Sequence, residues 1–237
     1  MTMTEGQHRL PVKTTLRLNT VRQQMRVSMK ASVDNAVLAQ VSREIDVTLL
    51  KDLRRKKFDK SAPRVSLNTL LMAAVTRTLV GHPLLNAELV DDQILIYDPI
   101  NLGMAVAVPD GLMVVVIRDA HRLTLTDMAI AVEDCVARAR HGQINPADLE
   151  GSTFTVSNLG MYEIDGGFPR PRPPEGAMLL VGTARPKPAV VNGRVVPRDI
   201  AWFSLSFDHR FIDGAAAAAF LKDLNELIQI PEMLLHQ

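Results

Sequence analysis

The sequence predicts one α+β domain built around a large, mostly antiparallel or mixed β-sheet. Three observations carry that expectation. Strand-sized apolar runs alternate with longer stretches at helical spacing along the 237 residues. Turn signals, Pro109-Asp110-Gly111 and Asn192-Gly193 among them, join apolar runs that follow one another directly. No internal repeat or low-complexity linker divides the chain, which is long enough to bury a single substantial core.

Taken in order, residues 1–15 lack sustained periodicity and read as a loose arm ahead of a domain spanning 16–237. From Leu18 the apolar positions Val21, Met25, Met29 and Val33 follow helical spacing. VLAQVSREID reads as a strand, and VTLLKDLRRKK after it as a helix. SLNTLLMAAVTRTLVGHP reads as a second long helix, capped by Ser66 and stopped by Gly81 and Pro83. DDQILIYD, NLGMAVAV and LMVVVIRDA are strands, the last two joined by the turn at 109–111. A helix from about Thr124 to His141 follows, opened by Thr124 or Thr126 and carrying Ile130, Val132 and Val136. Cys135 sits in it as core filling; as the single cysteine it also excludes an internal disulfide. TFTVS is a short strand, 158–176 a loop loaded with Gly, Pro and Arg, and AMLLVG a buried strand. PAVVNGRVV is a hairpin, AWFSLSF a further strand, and a helix runs from about Gly214 to Gln229.

Bulk composition narrows the function. Apolar residues at 47% and charged residues at 22% are ordinary for a globular protein. A formal net charge of +1 and 4% aromatics give no reason to expect nucleic acid or a membrane as partner. The apolar runs are far shorter than a membrane span and no secretory pattern opens the chain, so a soluble, cytoplasmic protein is expected. The six histidines have no close partner at ligand spacing, so no metal is expected. Fourteen of the 27 Lys and Arg residues fall between Arg9 and Arg64, densest in KDLRRKKFDK at 51–60. That segment is either a solvated helix face or a docking surface for phosphates or an acidic partner domain.

SLSFDHRFIDGAAAAAFL sets His209 between Asp208 and Asp213 at a strand-to-helix junction. In AWFSLSFDH, Trp202 shares a face with Ser204, Ser206 and Asp208, which suggests a strand with neither face fully solvated. The alanines after Gly214 let the helix start approach another backbone closely, so His209 is expected in a narrow, well-packed place. By residue type alone His209 is as readily a satisfied core histidine, beside an N-capping Asp213, as a catalytic group. No nucleophile elbow, P-loop or HExxH offers another chemistry.

SFDHRFIDGA resembles the D-H-R-x-x-D-G signature of the acyltransferases at the core of 2-oxo acid dehydrogenase complexes. From about Leu16 onward, REIDVTLL, HPLLNAEL, NLGMAVAVPDGLMVVVIRDA, TFTVSNLGM, PEGAMLLVGTA and PEMLL resemble further blocks of that family, in order and at its spacing. The resemblance implies a chloramphenicol acetyltransferase-like fold, a two-layer sandwich of mixed sheet and flanking helices that forms trimers. It implies transfer of an acyl group between dihydrolipoamide and coenzyme A, with the lipoyl group supplied in trans. A free alkyl thiol has a pKa of about 8.5, so a nearby neutral imidazole is needed to take its proton. The resemblance gives that general-base role to His209. It makes Ser157 the hydrogen-bond donor to the oxyanion of the tetrahedral intermediate, Asp213 an orienting group and Asn158 a contact for coenzyme A. Asp208 and Arg210 are expected to order the loop around His209 through charged hydrogen bonds. The implied partners are two further copies in a homotrimer with the active site between subunits, a larger core of the 24-mer type, a lipoylated domain and the decarboxylase component of the complex.

Some positions depart from the family. Val37-Leu38 stands where a Pro-His pair is common, Val115 where a proline is, and Arg170 and Arg172 where relatives carry apolar or amide side chains. These departures leave the acyl group and its carrier open. Two other functions also stay open: a non-catalytic oligomeric scaffold, and a stand-alone acyl-CoA transferase to another small acceptor. The intact signature, with Ser157 in frame, favours an enzyme.

Overall fold

The computed structural model describes residues 10–108 and 111–235. Residues 10–18 are exposed and lack regular structure; residues 1–9 of the expected arm, and Pro109 and Asp110 of the expected turn, lie outside the described residues. In chain order the elements are α1 (Thr20–Asn35), β1 (Leu38–Asp46), α2 (Thr48–Phe58), α3 (Leu67–Val80), β2 (Ala87–Val90), β3 (Gln93–Ile96), β4 (Leu102–Val108) and β5 (Gly111–Ile117). Then come α4 (Leu125–Arg140), β6 (Phe154–Asn158), β7 (Ala177–Val181), β8 (Arg185–Val191), β9 (Arg194–Asp208) and α5 (Gly214–Gln229).

The main sheet has seven strands in the order β1-β9-β7-β6-β4-β5, with β8 pairing to β9. The β4–β6 and β6–β7 pairings are parallel and the others antiparallel, so the sheet is mixed, as expected. β9 organises it: β1 lies along one edge, and β7 and β8 follow one another along the other. The sequence suggested a break between the hairpin and AWFSLSF, yet β9 runs unbroken for 15 residues. Pro197 stands opposite Pro188 on an arm beyond the reach of β1, where a missing N–H is tolerated. Asn192 and Gly193 turn that arm with φ of 51° and 74°. The short β2, paired to β3 in a separate hairpin, was not anticipated, because AELV offers only four residues behind a helix stop.

Side-chain alternation divides the chemistry between the two faces of the sheet. Phe154, Val156, Leu179, Leu205 and Phe207 share one face, each no more than 2% exposed. Helices α2 to α5 form the layer that seals the core; Phe220 of α5 meets Phe154 with ring centroids 5.9 Å apart. The opposite face carries Thr155, Ser157, Ser204, Ser206 and Asp208, also buried. The 159–176 loop covers that polar face: a Cβ on Gly166 would stand 3.6 Å from Trp202 and 3.7 Å from Ser204. Gly182 is required here, since a Cβ on it would fall 1.8 Å from the Asp165 carbonyl oxygen. Helix α1 lies apart from the other helices, against β5 and this loop, with Ser32 Oγ donating to the Pro171 carbonyl at 2.8 Å. Cys135 is buried in α4 as core filling, and desolvation raises its thiol pKa.

Candidate active site

The site is set by the end of β9. The Asp208 N–H donates to the Gly176 carbonyl at 2.9 Å, tying the strand end to the loop before β7. Its carboxylate accepts from Arg210 Nε to both oxygens at 3.0 Å, from Arg210 Nη2 at 2.6 Å and from the Arg210 backbone N–H at 3.1 Å. That hydrogen bonding raises the Arg210 pKa above its ordinary value. The Val37 N–H also reaches Asp208, at 3.3 Å, and the His209 N–H returns to the Val37 carbonyl at 2.7 Å. Asp208 and Arg210 thus order the turn that presents His209.

Within the single chain His209 does not sit in the narrow, packed place expected: it is exposed. β9 ends one residue earlier, and the turn that follows sends Ile212, 0% exposed, into the core instead. The imidazole rests against Phe207, centroids 5.4 Å apart, and makes no hydrogen bond among the described residues. Ser157 is 6% exposed on the polar face of β6, and its hydroxyl likewise has no partner among them. Ser157 aligns with Leu180 of β7 and, through it, with Ser204 of β9. Two strand spacings across and five residues along β9 therefore separate it from His209, a backbone distance of about 20 Å. One chain does not bring the two together.

Asn158 points to the other face. Its Nδ2 donates to Asn68 Oδ1 at 3.1 Å and its Oδ1 accepts from the Gly160 N–H at 2.8 Å. Both amides line a cavity of about 440 Å³ that also takes in Met104, Gly182, Lys51 and Arg140. Asp213 caps α5, accepting from the Ala216 N–H at 2.7 Å, and makes no hydrogen bond to His209 within the chain.

Residues 11–236 match the family model for the 2-oxoacid dehydrogenases acyltransferase (catalytic domain). The chain belongs to this family. It is 32% identical over 219 residues to the dihydrolipoyllysine-residue acetyltransferase component of the acetoin cleaving system of Bacillus subtilis, covering 91% of this chain and 55% of that relative. The chain spans about half the length of the curated relatives it matches. Among solved structures, the dihydrolipoamide acetyltransferase of Azotobacter vinelandii superposes with a TM-score of 0.89 at 27% identity, over 95% of this chain and 98% of that one. That protein has been investigated for the role of a serine, a histidine and an asparagine in its catalytic mechanism. The cubic core of the pyruvate dehydrogenase multienzyme complex superposes equally well, with a TM-score of 0.89, 28% identity and the same coverage. Chloramphenicol acetyltransferase, at 14% identity and a TM-score of 0.55, shares the fold alone.

The chain also holds a buried acid that sequence reasoning passed over. Glu175 is fully enclosed; Ser152 Oγ and Thr155 Oγ1 (2.8 Å) donate to its Oε1, while its Oε2 has no partner. Burial pushes its pKa up to about 7, against the opposing pull of the two hydroxyls and Arg172. The available signal was a lone acid in PEG directly ahead of the buried strand AMLLVG. Among the described residues no helix is long and apolar enough to cross a membrane.

Proposed function

We propose that this chain moves an acyl group between dihydrolipoamide and coenzyme A, with each active site completed by two subunits of a trimer. The observation that carries this reading is the separation of two uncommitted groups: a free imidazole at one end of β9 and a free hydroxyl about 20 Å away on β6. Each is half of a site that a second copy completes. Residue spacing supports the assignment. Ser157 and His209 are 52 residues apart, and His209 and Asp213 four apart, the same intervals as between the serine, histidine and asparagine studied in the Azotobacter vinelandii protein.

In this scheme His209 takes the proton from the attacking thiol as its sulfur adds to the thioester carbonyl. The Ser157 hydroxyl of a neighbouring subunit donates to the oxyanion that forms. Collapse of the tetrahedral intermediate breaks the original carbon–sulfur bond, and the imidazolium returns its proton to the departing thiolate. No covalent enzyme intermediate is needed; positioning two thiol carriers supplies most of the acceleration. The cavity beside Asn158 suits coenzyme A: the amides of Asn68 and Asn158 line it, and Arg140, which has no ion pair among the described residues, is available to a phosphate, while Lys51 is held by Asp199 at 2.7 Å. The lipoyl group arrives on a separate domain, and trimers assemble into a larger core with the decarboxylase component bound to it.

Mixing chains tests the shared site. His209→Ala and Ser157→Ala should each be slowed at least about 100-fold alone, and their dissociated and reassembled mixture should recover activity in hybrid trimers. No recovery from mixtures that contain hybrid trimers rules out a site shared between subunits.

A further inference from the structure

We propose that the cavity between α1 and the segments 149–152 and 172–174 is an acyl-group subsite that takes a distal carboxylate, recognised by Arg172 and Arg26. The proposal deepens the acyl-transfer reading above and rests on it. The cavity measures about 710 Å³ and lies open to solvent, with Arg26, Val27 and Ser28 of α1 on one wall and Ser152, Arg172 and Pro173 on the other.

Its position ties it to His209. Gly176 accepts from the Asp208 N–H, so the residues just before β6 and β7 stand level with the end of β9. β6 is two strands from β9, which puts Ser152 about 10 Å from the His209 backbone. Helix α1 makes a second link, running on to Val37, whose carbonyl holds the His209 N–H.

The chemistry of the walls favours an anion on a short aliphatic chain. Arg172 Nη2 donates to Ser152 Oγ at 2.8 Å, which fixes the direction of the guanidinium. Its nearest carboxylate, Glu175, is 4.0 Å away, already accepts two hydroxyls, and has its pKa lifted by burial to about 7. Arg172 is therefore aimed but incompletely neutralised. Arg26 pairs with no acid among the described residues, and the Ser28 hydroxyl oxygen is buried without a partner. Val27, Ala31, Pro173 and Pro174 supply apolar wall between these groups. Glu150 is the one acid in the lining; it is exposed, as Arg26 is, so water screens both charges and the half-buried Arg172 is the stronger anchor. A guanidinium fork matches a carboxylate. In a four-carbon dicarboxylic acyl group the carboxylate lies about 5 Å beyond the thioester carbonyl. With a hydrogen-bond length of about 3 Å at each end, such a group is about as long as the separation of roughly 10 Å between the His209 backbone and Ser152, to which the Arg172 guanidinium is bound.

Succinyl-pantetheine and butyryl-pantetheine, which lack the phosphates of coenzyme A, are the probes. Calorimetric binding to the full chain, and kcat/KM for transfer, give the preference for the charged thioester. Wild type should prefer the succinyl compound by about 10-fold or more, and Arg172→Gln and Arg26→Gln should each reduce that preference by about 10-fold. Thermal melts confirm that both variants fold. Equal binding of the two probes by wild type, or a preference unchanged in both variants, overturns the proposal. A loss of butyryl-CoA affinity in the variants as large as the loss of succinyl-pantetheine affinity also overturns it, because the guanidinium groups then hold a phosphate. Selective binding without transfer of either thioester leaves the subsite standing and removes the acyl-transfer reading. Transfer of both without selectivity does the reverse.

Discussion

Glu175 shows what a single residue contributes when its surroundings oppose its charge. Its pKa is raised by burial from the ordinary carboxyl range to about 7, so the folded chain holds this proton more tightly than the unfolded chain. Any stability gained from the neutral carboxyl is fully present below the unfolded pKa and is lost as pH rises through 7. Glu175→Gln removes the titration. The variant should gain on wild type between pH 5 and pH 8 by up to about 3 kcal/mol, read from urea unfolding at both pH values. A pH-independent difference would mean that the carboxyl titrates normally. At the proposed reacting groups, His209→Ala should lower turnover by about 10²- to 10⁴-fold and Ser157→Ala by about 10²- to 10³-fold, measured with acyl-CoA and dihydrolipoamide. Wild-type rates in either variant would remove that residue from the mechanism. The strand-to-helix junction around His209 was legible because its residues form a signature, whereas the exposure of His209 was not. The alternation that buries Phe207 and Asp208 gives no sign that β9 stops there. Glu175 was illegible because the PEG triplet reads locally as a turn, and only the crossing of β6 and β7 encloses it.

Among the elements, α5 joins the signature to the core, and Asp213 starts it. Asp213→Ala should destabilise the fold by about 1 kcal/mol in denaturant titrations, while Asp213→Asn keeps the cap and should lie within a few tenths of wild type. A loss of rate in the asparagine variant at unchanged stability would assign Asp213 a part beyond capping. Elements with local punctuation were readable in advance. Ser66 closes a capping box with Thr69, Thr124 caps α4 by accepting from the Asp127 N–H, and Asn192-Gly193 turns the arm. The elements that escaped depend on distant partners: β2 exists through its pairing with β3, and the unity of β9 through β1, β7 and β8.

For the molecule as a whole, the basic helix α2 is the surface on which capture of a carrier can be tested. Arg54 and Arg55 are engaged by Asp59 and Asp52, while Lys56 and Lys57 carry no ion pair among the described residues. Capture of an acidic lipoyl domain there would act on encounter rate and weaken with salt. Activity with a separate lipoyl domain should then fall more steeply with ionic strength than activity with free dihydrolipoamide. Substituting glutamine for Arg54, Arg55, Lys56 and Lys57 should flatten that difference, and identical salt profiles in the native chain would reduce α2 to a solvated face. The two-faced sheet has a consequence on a longer timescale. Along β6 and β9, Phe154, Val156, Leu205 and Phe207 alternate with Thr155, Ser157, Ser204 and Ser206, so stability and chemistry are written in interleaved letters of the same strands. A lineage can therefore rewrite the letters of one face while those of the other keep their side chains, and substitutions on the polar face leave the apolar layer opposite with the same packing partners.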